Sequence, residues 1–325
     1  MPLPPLDELR ATARVVALPL LTRFRGIDVR EAMLFEGPSG WTEFSPFVEY
    51  DDHESSAWLS AALDFGWRPT PPTLRERIPV NATVPAVGPE EVPGVLARYA
   101  GARTAKVKVA GSDSTLAEDV ARVAAVRNAL GAEGRIRVDA NGNWNLDEAE
   151  HAIHALAPFD LEYVEQPCET VAELAEIRRR TAYLDVPIAA DESVRKAEDP
   201  LAVAQAGAAD LIIVKAQPLG GIRRALEIVR AAGLPVVVSS AIDTSVGLSM
   251  GAHLAAAIPD PEYDCGLGTA ELLATDVARS PLVVEDGSIA VRRVVPDPDL
   301  LDANAASDDR RRWWLDRLAR CYKLL

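Results

Sequence analysis

Two lysines separated by one residue, Lys106 and Lys108, begin a series of chemically capable side chains that recurs at roughly 25–30 residues, about one βα unit. Asp139 with Asn141 comes next, then Glu165, Asp191 with Glu192, Lys215, and finally Ser239 with Ser240. Carboxylates converging from three neighbouring strands cannot all stay ionised without a cation among them, because like charges raise one another's pKa values. An all-oxygen donor set with no His or Cys selects a hard ion, Mg²⁺ or alternatively Mn²⁺, with positions left open for a substrate carboxylate. A lysine near such an ion and near a second lysine has its ammonium form disfavoured, so it can act as a base around neutral pH. Lys106 and Lys108 share one face of their strand and so perturb each other. This combination suits removal of a proton α to a carboxylate, the resulting enediolate being stabilised by the metal.

Such a series needs parallel strands whose C-terminal ends meet. Arg135–Trp144, RIRVDANGNW, carries the local pattern: Ile136 and Val138 face one side, Arg135, Arg137 and Asp139 the other. Asn141, Gly142 and Asn143 turn the chain, and Leu146–Leu156 follows with helical spacing. The same texture gives strands at Ile78–Val84, Thr104–Val109, Leu161–Glu165, Pro187–Asp191, Leu211–Lys215, Pro235–Ser239 and Tyr263–Leu267. Helices are expected between them at Glu90–Tyr99, Leu116–Leu130, Val171–Arg180, Pro200–Ala206, Ile222–Ala232 and Val246–Ile258. Alternation of this kind means parallel strands with right-handed crossovers, closing as a (β/α)₈-type barrel whose rim collects the series. A doubly wound sheet is the weaker reading, since no Gly-rich phosphate loop follows an early strand.

Residues 1–76 read as an α+β capping domain, with strands at Arg14–Arg23 and Val29–Phe35, mixed aromatics over Trp41–Phe47 and a helix at Ser55–Phe65. The barrel is expected over residues 77–268. Residues 269–325 return to the cap through a hairpin at Pro281–Val294 and an amphipathic helix bearing Trp313, Trp314, Leu315 and Leu318.

The chain has 325 residues, 48% hydrophobic and 26% charged, which reads as globular rather than disordered. With 34 basic against 49 acidic residues and no basic block, the formal charge of −15 argues against nucleic acid and anionic membranes as partners. The expected partner is a small-molecule carboxylate, as monomer or homo-oligomer. Cys168, Cys265 and Cys321 are far apart with no CxxC, which fits a reducing cytosol. No signal peptide and no apolar run of membrane length is read, so the expected location is cytoplasmic.

Taken singly, each residue has an ordinary explanation: a lone strand-end lysine is usually solvated, and Asp near Asn-Gly is turn chemistry. Sites kept in phase with the strand period are harder to explain that way. His151 and His154, at i and i+3 with no third ligand, read as helix-surface residues, and His253 as a core residue. Cys168 reads as a small filler.

The order KVK (Lys106–Lys108), DAN (Asp139–Asn141), EQP (Glu165–Pro167), DES (Asp191–Ser193) and VK (Val214–Lys215) resembles the enolase superfamily, muconate-lactonizing-enzyme subgroup. Gly40–Phe47, GWTEFSPF, is similar to that family's N-terminal capping domain. Within the subgroup, Val238–Leu248, the DES-R arrangement (Asp191–Arg195) and the short length most resemble the o-succinylbenzoate synthase family of menaquinone biosynthesis. The resemblance implies a modified TIM-type (β/α)7β barrel with an α+β cap formed by the N-terminal region and C-terminal tail. It implies Mg²⁺ on Asp139, Glu165 and Asp191, Lys108 as the base, Lys215 as a cation on the opposite face and Lys106 tuning Lys108. Ser239 and Ser240 would contact a succinyl group, and Arg137 and Asn141 join them as candidate substrate contacts. The implied reaction is syn dehydration of a cyclohexadiene carboxylate. An N-acylamino-acid racemase needs the same residues and is the alternative. A dipeptide epimerase is disfavoured because VSSAIDTS lacks an acidic pair for an ammonium group, and a non-catalytic scaffold because every charge of the set is kept. One departure is the short link near Arg23–Asp28, where the family usually has a longer loop that folds over substrate.

Overall fold

The computed structural model describes residues 3–112, 114–195 and 200–325, apart from the Arg195 side chain. Apolar alternation near the N-terminus forms an antiparallel sheet of β1 (Arg14–Phe24), β2 (Ile27–Gly37) and β3 (Gly40–Phe44), in that order. β1 and β2 meet at Arg25–Gly26, whose φ angles of 51° and 77° are the positive pair that a type I′ hairpin requires. The helix Asp52–Trp67 packs on this sheet through Trp58, Leu59, Leu63 and Phe65.

The barrel is a seven-stranded parallel sheet in sequence order. Its members, following β4 (Arg77–Pro79), are β5 (Ala82–Val84), β6 (Thr104–Lys108), β7 (Arg135–Asp139), β8 (Leu161–Glu165), β9 (Ile188–Ala190), β10 (Leu211–Val214) and β11 (Val236–Val238). Tyr163, Ala189, Leu211, Ile213 and Val237 fill the interior. The alternate residues, including Ile136, Val138, Val164, Ile188, Ile212 and Val214, pack outward with the helices.

Two expected strands differ. Ile78–Val84 is split: only β5 joins the sheet, while β4 pairs antiparallel with β12 (Ser288–Ala290). Tyr263–Leu267 forms no continuous strand, and Gly266 within it is a residue of low strand propensity. Two single parallel bridges, Val80–Cys265 and Ser239–Gly266, close the ring there instead. Cys265 N donates to Pro79 O at 2.8 Å, Asn81 N to Cys265 O at 3.0 Å and Gly266 N to Val238 O at 2.8 Å. The helix expected at Glu90–Tyr99 is confined to Val92–Leu96, with Pro93 and Gly94 inside it.

The crossover helices after β6, β7 and β8 begin at capping boxes, Thr115 with Glu118, Asn145 with Glu148 and Thr170 with Glu173. Each box satisfies orphan N–H groups and fixes where the helix starts, so the loop carrying each strand-end side chain has a set length.

The tail returns to the N-terminal sheet through the bridges Leu20–Leu273 and Val16–Ala305. The buried Arg317 of the helix Asp308–Tyr322 donates to Phe47 O at 2.9 Å and Ser55 Oγ at 2.7 Å. The expected hairpin at Pro281–Val294 reduces to β12, which pairs with β4 rather than with the N-terminal sheet. Its turn, at Gly287 with φ 69°, lies so close to Gly101 that a Cβ would sit 2.6 Å from that carbonyl oxygen.

Glu43 of β3 joins the sheet to the barrel. Its carboxylate accepts from Thr244 N (3.1 Å), Thr244 Oγ1 (2.5 Å) and Gly247 N (3.2 Å), at the start of the helix Ser245–Ala257. Thr244 Oγ1 in turn accepts from Val246 N at 3.1 Å, so helix cap and docking contact form one chain. Gly247 is required: a Cβ there would stand 2.7 Å from Glu43 Cδ. Burial, reinforced by the Asp243 carboxylate, pushes the Glu43 pKa up from 4.5 to about 7. The folded protein therefore retains a proton that the unfolded chain releases between those values, and stability falls as pH rises through that window. Glu43→Gln removes this dependence. The melting temperature of wild type relative to Glu43→Gln is expected to fall between pH 4.5 and 7, as followed by thermal denaturation. A constant difference would refute the assignment.

Candidate active site

Register makes neighbours of the strand-end charges. Lys108 pairs with Asp139 across β6 and β7, and Asp139 with Glu165 across β7 and β8. Asp191 follows β9 and Lys215 follows β10, so the sheet order reads lysine, aspartate, glutamate, aspartate, lysine. The three carboxylates are buried, Asp139 and Asp191 at 1% exposed and Glu165 at 0%.

Lys106 Nζ donates to Glu165 Oε1 and Oε2 at 2.9 and 3.0 Å and lies 3.1 Å from Asp139 Oδ2. Lys108 Nζ donates to Asp139 Oδ2 at 2.6 Å and to Asn141 Oδ1 at 2.8 Å. Lys215 is ion-paired with Asp191. Burial opposes charge on Asp139, yet the ammonium groups of Lys108 and Lys106 hold its pKa well below the usual range. Glu165 moves the other way, up to about 8, through burial and the Asp139 charge. Burial would lower Lys106 too, but Glu165 and Asp139 hold it well above its ordinary value. Lys108 is lowered by burial, and the Lys106 charge adds to the effect despite the Asp139 carboxylate.

A small cavity of about 40 Å³ is lined by Lys106, Lys108, Asp139, Asn141, Asp191, Glu192, Lys215, Ser239 and Ser240, with Glu165 behind Lys106. An open cleft of about 1380 Å³ shares Phe24, Arg25, Lys108 and Asn141 with it. Arg137 is elsewhere. Although expected among the substrate contacts, it is 0% exposed and two residues below Asp139, inside the barrel. There it donates to Glu162 Oε2 at 2.5 Å, Asp264 O at 2.6 Å and Asn81 Oδ1 at 3.2 Å. A strand-face pattern tells which side Arg137 points to but not its depth. His151 and His154 are exposed, and His253 is buried with Nδ1 2.7 Å from Ser249 O.

Several residues at the rim escaped the sequence reading. Gln166 Oε1 accepts from Asp191 N at 2.9 Å and Ser193 N at 3.3 Å, fixing the position of the third carboxylate. Phe24 covers Lys108, whose Nζ is 5.3 Å from the ring centre. Ile242 lines the cavity with φ 59°, unusual for a β-branched residue, and buried Arg30 donates to its carbonyl at 3.2 Å. Ala110, Asn141 and Gln166 also have positive φ, so backbone strain gathers in the loops that carry the site.

The chain matches the family model described as Enolase C-terminal domain-like over residues 94–320, and Enolase N-terminal domain-like over residues 15–66. It belongs to the enolase superfamily. A Mycolicibacterium smegmatis protein named o-succinylbenzoate synthase is 55% identical over 323 residues, spanning 99% of this chain and 98% of that one. The Mycobacterium marinum protein of the same name is 54% identical over 321 residues, 98% and 96% of the two chains. Among solved structures, the L-Ala-D/L-Glu epimerase of Bacillus subtilis superposes with TM-score 0.74 at 26% identity, covering 87% of this chain and 96% of that one. The 2-chloromuconate cycloisomerase of Rhodococcus opacus 1CP gives TM-score 0.75 at 22% identity, covering 91% and 98%, and supports the modified TIM-barrel fold.

Enzymes of this superfamily generally use a divalent metal ion. Among the described residues no three His, Cys, Asp or Glu side chains stand as a ready metal cluster. Lys106 Nζ lies between Asp139 and Glu165, 3.1 Å and 2.9 Å from their oxygens, and supplies positive charge to both. The donor set fits a hard ion nonetheless: it is all carboxylate oxygen, buried, and already gathered around positive charge. Lys106→Met removes a cation shared by two buried carboxylates and should cost about 3–5 kcal/mol of stability in EDTA. Urea denaturation reads the loss, and a wild-type midpoint would show that the pairing carries no energy.

Proposed function

We propose that this chain is an o-succinylbenzoate synthase. It would dehydrate 2-succinyl-6-hydroxy-2,4-cyclohexadiene-1-carboxylate to 2-succinylbenzoate, a hydro-lyase step of menaquinone biosynthesis. The observation that carries this is the row Lys108, Asp139, Glu165, Asp191, Lys215 at one rim, in a chain 55% identical to a relative of that name. Asp139, Glu165 and Asp191 are the groups to hold Mg²⁺, with Mn²⁺ as a substitute. A divalent ion bound there supplies the charge that anchors the ring carboxylate and makes the adjacent C–H bond acidic.

The chain's own residues do the rest. Lys108, uncharged, takes the proton from the ring carbon bearing the carboxylate. Lys215, from the other end of the row, presents its ammonium to the opposite face of the ring, where cation–π attraction adds to charge stabilisation. The ring C–O bond then breaks, and Lys108 returns its proton to the departing hydroxyl on the same face, giving water and an aromatic ring. Lys106 sets the charge around Lys108, and Asn141 holds the Lys108 amine by accepting from it at 2.8 Å. The Phe24 ring stands beside the base, its centre 5.3 Å from Lys108 Nζ.

Residues 1–76 and 269–325 form the cap on this reading, and 77–268 the catalytic barrel. An acidic chain with three free thiols supports a cytoplasmic enzyme acting on a small carboxylate. Among the described residues no helix is long and apolar enough to cross a membrane.

Ultraviolet absorbance follows aromatisation of the cyclohexadiene substrate directly. Turnover is expected with Mg²⁺, with none in EDTA. Lys108→Ala and Lys215→Ala should each lose about 10²–10⁴-fold in kcat with unchanged circular dichroism. Wild-type rates in either variant would overturn the mechanism. A polarimetric assay with N-succinyl amino acids runs in parallel, and racemisation without dehydration would overturn the function.

A further inference from the structure

A dicarboxylate bound with its ring carboxylate among the lysines needs a second anion subsite for its succinyl end. The seventh-strand hydroxyls are poorly suited to it as they stand. Ser240 Oγ donates to Gly266 O at 2.8 Å, Ser239 Oγ points at the same carbonyl at 3.4 Å, and Thr269 Oγ1 lies 2.8 Å from Ser240 Oγ. With Ser240 donating to the carbonyl, the Thr269 proton is used on Ser240. These three hydroxyls thus offer lone pairs to the cavity, and a carboxylate needs donors.

Among the described residues, the cations lining the cavity are Lys106, Lys108, Lys215 and Arg25. Each lysine is paired with a carboxylate of the rim. Arg25 differs. Both its terminal nitrogens donate to the Tyr50 hydroxyl at 3.3 Å and its guanidinium faces the Phe47 ring at 4.3 Å, but among the described residues no carboxylate pairs with it. Aromatic contacts on two sides aim the planar group without neutralising it, which leaves its remaining donors for a bidentate anion.

Backbone conformation points the same way. Arg25 is the first central residue of the type I′ turn, with φ 51°, where Asn, Asp or Gly is the usual occupant. An arginine there costs local stability and places a cation at the wall shared by the cavity and the outer cleft. We propose that Arg25 binds the distal carboxylate of the substrate and so sets selectivity for dicarboxylates. This rests on the dehydratase reading above, and it gives the short β1–β2 turn the role of contacting substrate.

Arg25→Asn tests it, because asparagine followed by Gly26 is a favoured type I′ pair. The variant should melt at or above the wild-type temperature. Its KM for the cyclohexadiene dicarboxylate should rise about 10–100-fold with kcat within about threefold. In calorimetric titration, wild type should prefer 2-succinylbenzoate to 2-butanoylbenzoate, which lacks the distal carboxylate, by a similar factor, and Arg25→Asn should lose that preference. Arg25→Lys should recover part of it. A merely structural role for Arg25 would not move ligand preference while preserving the melting temperature. Unchanged KM and unchanged preference in Arg25→Asn would overturn the proposal and leave the dehydratase reading intact. A wild-type protein that neither turns over the dicarboxylate nor binds 2-succinylbenzoate would overturn both.

Discussion

Burying three carboxylates beside three ammonium groups constrains the whole rim, since each charge is tolerable only with an opposite one within hydrogen-bond reach. Strand register enforces that proximity. A slip of one residue between β6 and β7 would turn Lys108 away from Asp139 and into the helical layer, stranding both. The capping boxes after β6, β7 and β8 guard against such slips by fixing where each crossover helix starts.

The N-terminal sheet is tied to this rim by groups that the barrel needs for its own reasons. The helix Ser245–Ala257 begins immediately after the cavity-lining segment, and its first N–H groups require an acceptor. Glu43 supplies one from outside the barrel, while Arg30 holds the carbonyl of the strained Ile242. Cap and barrel therefore share one set of hydrogen bonds, and the loop that follows β11 is shaped by both. The aromatic cluster of Phe47, Tyr50 and Trp58 extends that joint to Arg25 at the cavity mouth.

How much of this was legible in the sequence depends on what each pattern encodes. Alternation of period two and the recurrence of charged strand ends reveal the parallel barrel and the row from Lys106 to Lys215, because both follow from strand geometry. Depth along a strand is not encoded, so Arg137 read as a rim residue when it is an internal one. Closure of the ring at Cys265 and Gly266 depends on single bridges between distant segments, for which a local propensity window has no signal. Glu43 and Ile242 matter through contacts more than 200 residues away in sequence. Arg25 did leave a trace: arginine before glycine in a two-residue turn is a poor choice for the turn alone, and a mismatch of that kind marks a position held for another purpose.

The ring has a seam. Seven strands are joined by ladders, whereas among the described residues the eighth segment pairs with its neighbours only through the single bridges Val80–Cys265 and Ser239–Gly266. Where few backbone bonds hold an edge, local opening requires the least free energy. Ser239, Gly266 and Thr269 of that seam also wall the cavity, which at about 40 Å³ is far smaller than a substituted ring. The least costly expansion of the barrel is thus also the one that enlarges its pocket, on the β11 side, while Asp139 and Glu165, laddered on both sides, keep their register.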